Sequence, residues 1–209
     1  MCGKDHELAI LAPDEICAEL SADRAHRDTL KGMRTAFIGM GGNLASWAGA
    51  PEATLTAAAQ RLESLGRVGR RSSLYSTEPV GFAQQPSFVN AVVELETALE
   101  PRVLLEGLLA IEHEFGRDRV ASFVNGPRTL DLDILLLGDL EICMPGLEIP
   151  HPRLAERAFV LVPLCEIAAE LFVPSRNVTV VCLLTSLLEG SVSVSDAVVR
   201  LPCESWDAR

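Results

Sequence analysis

Residues 125–138 read NGPRTLDLDILLLG, and this stretch places two carboxylates at the start of one of the most apolar runs of the chain. In a β-strand, residues two apart point to the same face, with Cα atoms about 6.6 Å apart at about 3.3 Å of rise per residue. Asp131 and Asp133 are therefore expected to project together, while Leu132 and Ile134 face the core on the other side. The stretch predicts a strand with one buried and one charged face.

Two carboxylates beside a core repel each other and are costly to desolvate, so a bound cation is the natural resolution. Oxygen ligands at this spacing suit Mg²⁺, whose remaining positions are filled by water and substrate phosphates. Zinc is disfavoured because the chain has no Cys/His cluster. The alternative is an Asp-x-Asp on a solvated strand that only blocks aggregation. Arg128, on a chain stiffened by Pro127, and the apolar continuation of the strand favour the metal site.

Composition predicts one compact domain, because 48% of the 209 residues are hydrophobic and 22% are charged. The longest apolar runs fall short of the ~20 residues of a membrane-spanning helix. The acidic N-terminus lacks the basic and apolar regions of a secretory signal. Six cysteines without a CxxC pair are typical of reduced thiols. We therefore expect a cytoplasmic protein that does not bind membranes.

The charge pattern favours a small phosphate ligand over a nucleic acid. A net charge of −11 argues against nucleic-acid binding, which relies on a broad basic surface. Sixteen of the 18 basic residues are arginines, whose planar fork suits phosphate. Five of them group around the Asp-x-Asp stretch: Arg117, Arg119, Arg128, Arg153 and Arg157. They predict a local polyphosphate site, although each arginine alone could equally pair with a surface carboxylate.

The first part of the chain predicts an alternating order of strands and helices. TAFIGMGG from Thr35 is a strand, and a helix runs from Pro51 to Gly66. Strand-like segments follow from Arg67 and Ser87, then a second helix opens at Pro101 and precedes the Asp-x-Asp strand. The order βαββαβ predicts the α/β (α+β) class: a ferredoxin-like sandwich with an antiparallel sheet and helices on one face.

The two ends of the chain are expected to add to this unit. Residues 1–32 are interpreted as an N-terminal extension, partly helical or disordered, and residues 33–176 as the main domain. Residues 177–209 would form a C-terminal helix, over 177–190, and a tail or strand. The segment before it predicts one or two short helices interrupted at Pro163.

Three further features are weak when taken alone. Asn90 shares a strand face with Phe88, and an amide beside an aromatic ring can bind a flat heterocycle, although a core Phe and an edge Asn are the commoner case. His151 lies between two prolines, where a structural role is the usual one. The glycines of GMGGN at 39–43 are not a dinucleotide fingerprint, because Leu44 replaces the third glycine.

Together these residues resemble the 6-hydroxymethyl-7,8-dihydropterin pyrophosphokinase family of folate biosynthesis. The similarity runs from about Arg34 to Leu171, and its most specific element is GPRTLDLDILL. Further motifs follow the family order: GGNL, YSTEPVG, QPSFVNAVVELET, IEHEFGR, IPHPRLAERAFVLVPL and EIAAEL.

The resemblance implies transfer of the terminal diphosphate of ATP to the hydroxymethyl group of the pterin, with release of AMP. It implies two Mg²⁺ ions on Asp131 and Asp133, with ATP as co-substrate and no obligate protein partner. Arg117 and Arg128 would be catalytic together with these two aspartates. The pterin would be bound by Thr77, Val80, Phe88, Asn90 and Phe159. ATP would be bound by Glu112, Arg128, His151 and Arg157.

The chain also departs from the family pattern, at Gly42, Leu109, Asn125 and near Gly146. Family members often carry serine, glutamine and an aromatic residue at the first three, and some place an arginine near the fourth. Two alternatives to the pyrophosphokinase are a catalytically inactive ferredoxin-like binding domain and a Mg²⁺-dependent kinase of another hydroxymethyl heterocycle. We expect the chain to be a monomer.

Overall fold

The computed structural model describes residues 32–79, 81, 84–117, 126–190 and 198–207. The strands are β1 (Arg34–Gly42), β2 (Arg67–Arg71), β3 (Leu74–Thr77), β4 (Phe88–Thr97), β5 (Asp131–Leu137), β6 (Ile142–Met144), β7 (Leu147–Ile149), β8 (Phe172–Val173), β9 (Val178–Thr179) and β10 (Val199–Leu201). The helices are α1 (Pro51–Arg61), α2 (Pro101–Glu114), α3 (Ala158–Ala168), α4 (Val180–Gly190) and α5 (Glu204–Asp207).

The main sheet has the order β10-β3-β4-β1-β5, with β2 also paired to β4. Each pair of neighbouring strands in it is antiparallel. The first seven elements, from β1 to β5, follow the predicted βαββαβ order, with one predicted strand divided into β2 and β3. The α/β prediction with an antiparallel sheet is therefore confirmed.

Helices α1 and α2 begin where the sequence predicts, and α2 also ends close to its predicted end, whereas α1 ends at Arg61, before the predicted Gly66. Each opens with a proline at its first position, where the missing N–H costs no hydrogen bond. A 3₁₀ turn, Leu62–Ser64, extends α1 toward Gly66. Gly116 ends α2 with φ of +82°, a conformation that glycine adopts without strain.

The two helices of the βαββαβ unit lie on one face of the sheet, as predicted, and the C-terminal helices cover the other face. One core lies between the sheet and helices α1 and α2, and contains Ile38 and Leu104. A second core lies on the opposite face, where Phe37 and Val92 pack with α3 and α4. The apolar C-terminal segments, which the sequence presents only as additions, thus complete a third layer.

Strand β5 has two different faces, as its alternation predicts. Leu132 and Ile134 lie in the core beneath α1 and α2, so the charged residues between them face the other layer. A register shift against β1 then places Leu135 and Leu136 together in the second core. This β-bulge ends the alternation just after the Asp-x-Asp pair.

Two local predictions need correction. The strand-like segment from Arg67 is two strands, because Ser72 and Ser73 interrupt it; the Ser72 hydroxyl accepts a hydrogen bond from the backbone N–H of Val92 at 2.9 Å. Pro163 does not interrupt α3. It lies five residues after the start of the helix, where its missing N–H costs one hydrogen bond, to the carbonyl of Phe159.

The C-terminal segment adds an edge strand and an anchor to the sheet. Strand β10 pairs with β3, and Trp206 is only 2% exposed. The Trp206 indole N–H donates to the carbonyl of Ser72 at 2.6 Å, and the Arg71 guanidinium lies 4.6 Å from the ring centroid. The sequence left residues 191–209 open as strand or tail, and the structure assigns both a strand and a short helix within 198–207.

The described residues from Arg34 onward form one compact unit. The predicted extension over residues 1–32 lies, except for its last residue, outside the described ranges, and the division at residue 176 stays a prediction. None of the helices in the part of the chain that the structure describes has the length and hydropathy of a membrane span.

Candidate functional site

A narrow cleft opens on the second face of the sheet, beside the start of α3. It is lined by residues from β1, β4, β5 and α3, among them Asn90, Arg128, Asp131, Asp133, Arg157 and Phe159. Strand β1 contributes two residues without side chains, Gly39 and Gly41. The cleft therefore has a flat floor between charged side chains on one side and an amide on the other.

Asp131 is held by two arginines. The Arg117 guanidinium donates to Oδ1 of Asp131 and also to the backbone carbonyl of Leu130, at 3.1 Å for the latter. Arg128 Nε lies 2.9 Å from Oδ2 as an ion pair. The pKa of Arg117 lies above its ordinary value, because Asp131 and Glu112 outweigh the effect of burial, which opposes the charge. The first carboxylate of the pair is thus oriented and neutralised by the protein itself.

Asp133 lies beside a histidine, whereas Asp131 is held by two arginines. The side chain of Asp133 is 39% exposed, and the Nε2 atom of His151 lies 3.9 Å from its Oδ2 atom. Burial in the cleft and the charge of Asp131 raise the pKa of Asp133 to about 6, against the opposing effect of the arginines. The second carboxylate therefore retains a charge that a cation can neutralise.

His151 is fixed in a neutral form. The backbone N–H of Arg153 donates to His151 Nδ1 at 3.1 Å, which leaves the proton on Nε2, toward Asp133. Burial and the nearby Arg157 lower the pKa of His151. Burial and Arg153 lower the pKa of Arg157 as well. His151 is thus a hydrogen-bond donor at neutral pH.

An oriented amide lies at the other end of the cleft. Asn90 is 7% exposed, and its Nδ2 donates to the hydroxyl of Thr77 at 2.8 Å. A Cβ atom at Gly41 would lie 2.8 Å from Oδ1 of Asn90, so only glycine leaves room for the amide in this position. One N–H and the amide oxygen of Asn90 remain to bind the edge of a flat ring.

Each of the two predicted stacking rings is covered by an arginine. The Arg128 guanidinium lies 4.7 Å from the centroid of Phe88, and the Arg157 guanidinium lies 5.5 Å from that of Phe159. Phe88 is buried and Phe159 is half-buried. A heterocycle that stacks on the covered faces would displace these guanidinium groups.

Glu112 lies behind the site, with 1% of its side chain exposed. Its Oε1 accepts hydrogen bonds from Arg117 and from the backbone N–H of Leu132, both at 2.8 Å. This geometry supports a role in holding Arg117 against β5, and the predicted contact of Glu112 with ATP stays a prediction.

The structure therefore brings most of the predicted site residues together. Six of them line the cleft. Thr77, Phe88, Arg117 and His151 contact members of those six, and Glu112 contacts Arg117. Val80 lies outside the described residues, as do Arg119 and Asn125.

Asn43 is a site residue to which the sequence assigned no role. Its Oδ1 accepts from the backbone N–H of Arg128 at 2.8 Å, and its backbone N–H donates to the Arg128 carbonyl at 2.9 Å. Its Nδ2 donates to the carbonyl of Pro86 at 2.9 Å and to Gln85. Asn43 thus joins the end of β1 to the segments before β4 and β5. The signal in the sequence was an asparagine after a glycine pair at a strand end, where its amide can bind two backbones.

The donor set fits Mg²⁺ that is shared with a substrate. Asp131 and Asp133 offer hard carboxylate oxygens, and within the described ranges no group of three or more His, Cys, Asp or Glu side chains could hold a metal by itself. A cation here would need further oxygen ligands, which phosphates provide. The fold and site are typical of an enzyme that binds a metal-chelated phosphate beside a flat ring.

Comparisons with known proteins identify the family. The family model described as 7,8-dihydro-6-hydroxymethylpterin-pyrophosphokinase (HPPK) matches residues 37–169. The chain is 44% identical to the 2-amino-4-hydroxy-6-hydroxymethyldihydropteridine pyrophosphokinase of Pseudomonas aeruginosa over 66% of this chain and 83% of that protein. It is 43% identical to the enzyme of the same name from Haemophilus influenzae, over 70% and 89%. The chain belongs to the HPPK family.

Solved structures agree in fold. A crystal structure of Plasmodium falciparum HPPK-DHPS matches with a TM-score of 0.61 at 16% identity, and covers 75% of this chain. The match spans 44% of that longer chain. At this identity the likeness concerns the fold alone.

Proposed function

We propose that this chain transfers the terminal diphosphate of ATP to 6-hydroxymethyl-7,8-dihydropterin and releases AMP. The observation that carries this proposal is the single cleft in which a carboxylate pair, two arginines and an oriented amide meet. Membership in the HPPK family favours this reaction over a non-catalytic binding domain and over a kinase of another hydroxymethyl heterocycle.

The carboxylate end of the cleft is suited to the triphosphate. Asp131 and Asp133 would hold Mg²⁺, which when bound would offset charge on the phosphate oxygens. Arg128 and Arg157 lie in the same cleft and supply positive groups, while His151 donates through Nε2. Two metal ions, rather than one, are part of this proposal.

The amide end of the cleft is suited to the pterin. Asn90, fixed by Thr77, would bind the polar edge of the ring, and Phe88 and Phe159 would stack on its faces. Since Arg128 and Arg157 cover these two rings, their guanidinium groups would move from the aromatic faces toward the phosphates when the pterin binds. The same arginines would then serve both substrates in turn.

The reaction itself needs positioning and charge neutralisation more than a strong base. The hydroxymethyl oxygen would attack the β-phosphorus, the bond from that phosphorus to the α,β-bridging oxygen would break, and AMP would leave with that oxygen. The hydroxyl proton would pass to solvent. Arg117 and Arg128, held on Asp131, would stabilise the charge that develops on the transferred group.

The products of one incubation test the proposal. The purified protein, ATP, Mg²⁺ and the hydroxymethyl dihydropterin should give AMP and the pterin diphosphate in equal amounts, separated by chromatography. ADP with a pterin monophosphate would sink the diphosphate transfer. Asp133→Asn should remove the Mg²⁺-dependent turnover, while Asp139→Asn, at an exposed turn after β5, serves as the matched control.

The cytoplasmic location and the monomeric state belong to the same proposal. The cysteines in the described part of the chain, Cys143, Cys165, Cys182 and Cys203, are free thiols, which agrees with a reducing compartment.

A further inference from the structure

Arg117, whose side chain contacts Asp131, lies just after the C-terminal end of α2. The backbone N–H of Arg117 donates to the carbonyl of Glu112 at 3.1 Å, and that of Gly116 donates to the carbonyl of His113 at 3.0 Å. With the left-handed conformation of Gly116, these bonds form a Schellman motif. The motif supplies hydrogen-bond donors to the carbonyls of Glu112 and His113. It supplies none to the carbonyl of Glu114.

Trp47 forms a hydrogen bond with the carbonyl of Glu114. Its indole N–H donates to the carbonyl of Glu114 at 3.0 Å. Its ring stacks on Phe115 with centroids 5.0 Å apart and an interplanar angle of 24°. Phe115 is 1% exposed, whereas Trp47 is 68% exposed. A tryptophan so exposed contributes little to the core, and both its hydrogen bond and its ring stacking join it to the end of α2.

Trp47 lies on a loop that also contacts the other arginine of Asp131. The loop between β1 and α1 begins at Asn43, which is hydrogen-bonded to the backbone of Arg128 on both its N–H and its carbonyl. Four residues later, Trp47 covers the helix end two residues before Arg117. One loop therefore fixes the backbone beside both arginines that contact Asp131.

We propose that Trp47 is a positioning residue for the transfer reaction: it fixes the end of α2 and thereby holds Arg117 on Asp131. Trp47 is not part of the cleft lining. It acts through Glu114 and Phe115 on the segment that carries Arg117. The inference rests on the proposed function for its kinetic test and on geometry alone for its spectroscopic test.

The kinetic test is a double-mutant cycle. Trp47→Ala should lower kcat about tenfold with little change in the KM for the pterin, since small displacements of a positioned group cost rate more than binding. In an Arg117→Lys background, Trp47→Ala should have almost no further effect, because the two changes act on one interaction. Trp47→Phe keeps an aromatic ring but loses the indole N–H, so its kcat should lie between those of the wild type and Trp47→Ala. Val103→Ala, an exposed apolar truncation on the same helix, is the control and should leave kcat unchanged.

Two outcomes would overturn the inference. Thermal unfolding first sets an assay temperature at which every variant is fully folded. If Trp47→Ala then retains wild-type kcat, or if its effect on kcat is the same with Arg117 and with Lys at that position, Trp47 only stabilises the fold.

A second measurement does not need activity. The side-chain Nε–H resonance of Arg117, assigned by its loss in Arg117→Lys, should shift or broaden in Trp47→Ala and stay in place in Val103→Ala. An unchanged resonance in Trp47→Ala would refute the positioning role. If the wild-type protein makes no pterin diphosphate while the resonance shifts as expected, the proposed reaction fails and the positioning of Arg117 stands.

Discussion

Protonation of Asp133 should control metal binding in the weakly acidic range. With a pKa of about 6, this carboxyl is about nine tenths ionised at pH 7 and about one tenth ionised at pH 5. A metal ligand must be deprotonated, so the contribution of Asp133 to metal affinity should fall about tenfold over this range. The fall should be absent when residue 133 cannot ionise.

The assay is calorimetric titration with Mg²⁺ and an ATP analogue whose α,β-bridge is a methylene group. Protonation of the nucleotide also weakens metal binding, but equally in wild-type protein and in Asp133→Asn. The readout is therefore the ratio of the two affinities, which should decrease about tenfold from pH 7 to pH 5. A ratio that stays constant would refute both the raised pKa and the role of Asp133 as a ligand.

The same pKa predicts how the metal-free protein responds to pH. The folded-state pKa of about 6 lies above the ordinary value of 3.8, so the native state binds more protons than the unfolded state between about pH 4 and pH 6. The free energy of unfolding should therefore fall as pH rises through this window. Because the side chain is 39% exposed, solvent screening limits the effect to about 1 kcal/mol. Asp133→Asn should remove this dependence in urea unfolding curves, and an unaltered pH profile would contradict it.

Three further substitutions test other parts of the site and fold. Gly41→Ala should raise the KM for the pterin because its Cβ would displace the amide of Asn90, whereas the matched Gly39→Ala meets only a flexible side chain; equal KM values would argue against this. Asn43→Ala should lower the free energy of unfolding by roughly 2–3 kcal/mol, since three side-chain hydrogen bonds are lost, and a loss below about 0.5 kcal/mol in urea would refute that role. Trp206→Ala should cost about 3 kcal/mol or more, and an unchanged melting temperature would show that the C-terminal anchor is dispensable.

The strand and helix order could be predicted because local signals are strong there. Prolines at the first positions of α1 and α2, and glycines after them, mark the ends of both helices whatever lies around them. The alternation of β5 similarly separates Asp131 and Asp133 from Leu132 and Ile134, because one side of the sheet is core.

The layers and the breaks could not be predicted, because they depend on residues distant in sequence. The hydrogen bond between Ser72 and Val92 divides β2 from β3, and the alternation of apolar and polar residues does not predict this bond. The α3 segment is apolar on nearly every side, so its periodicity does not show which face of the sheet it covers. The short weakly alternating segment of β10 becomes a strand only through its pairing with β3.

In the candidate site, too, local motifs could be predicted from the sequence, whereas contacts between distant segments could not. The motif residues identified which side chains would act, but not how they are supported. The roles of Asn43 and Trp47 depend on contacts with segments more than 40 residues away. Glu112 likewise reads as a ligand-binding residue in the motif, whereas the structure buries it against Arg117.

Isotopic labelling of ATP tests the central claim most directly. With the β-phosphorus labelled, a single turnover with the hydroxymethyl dihydropterin and Mg²⁺ should move the label to the pterin and leave AMP without it. Label that remains on a nucleotide diphosphate, together with an unlabelled pterin monophosphate, would contradict diphosphate transfer by this chain.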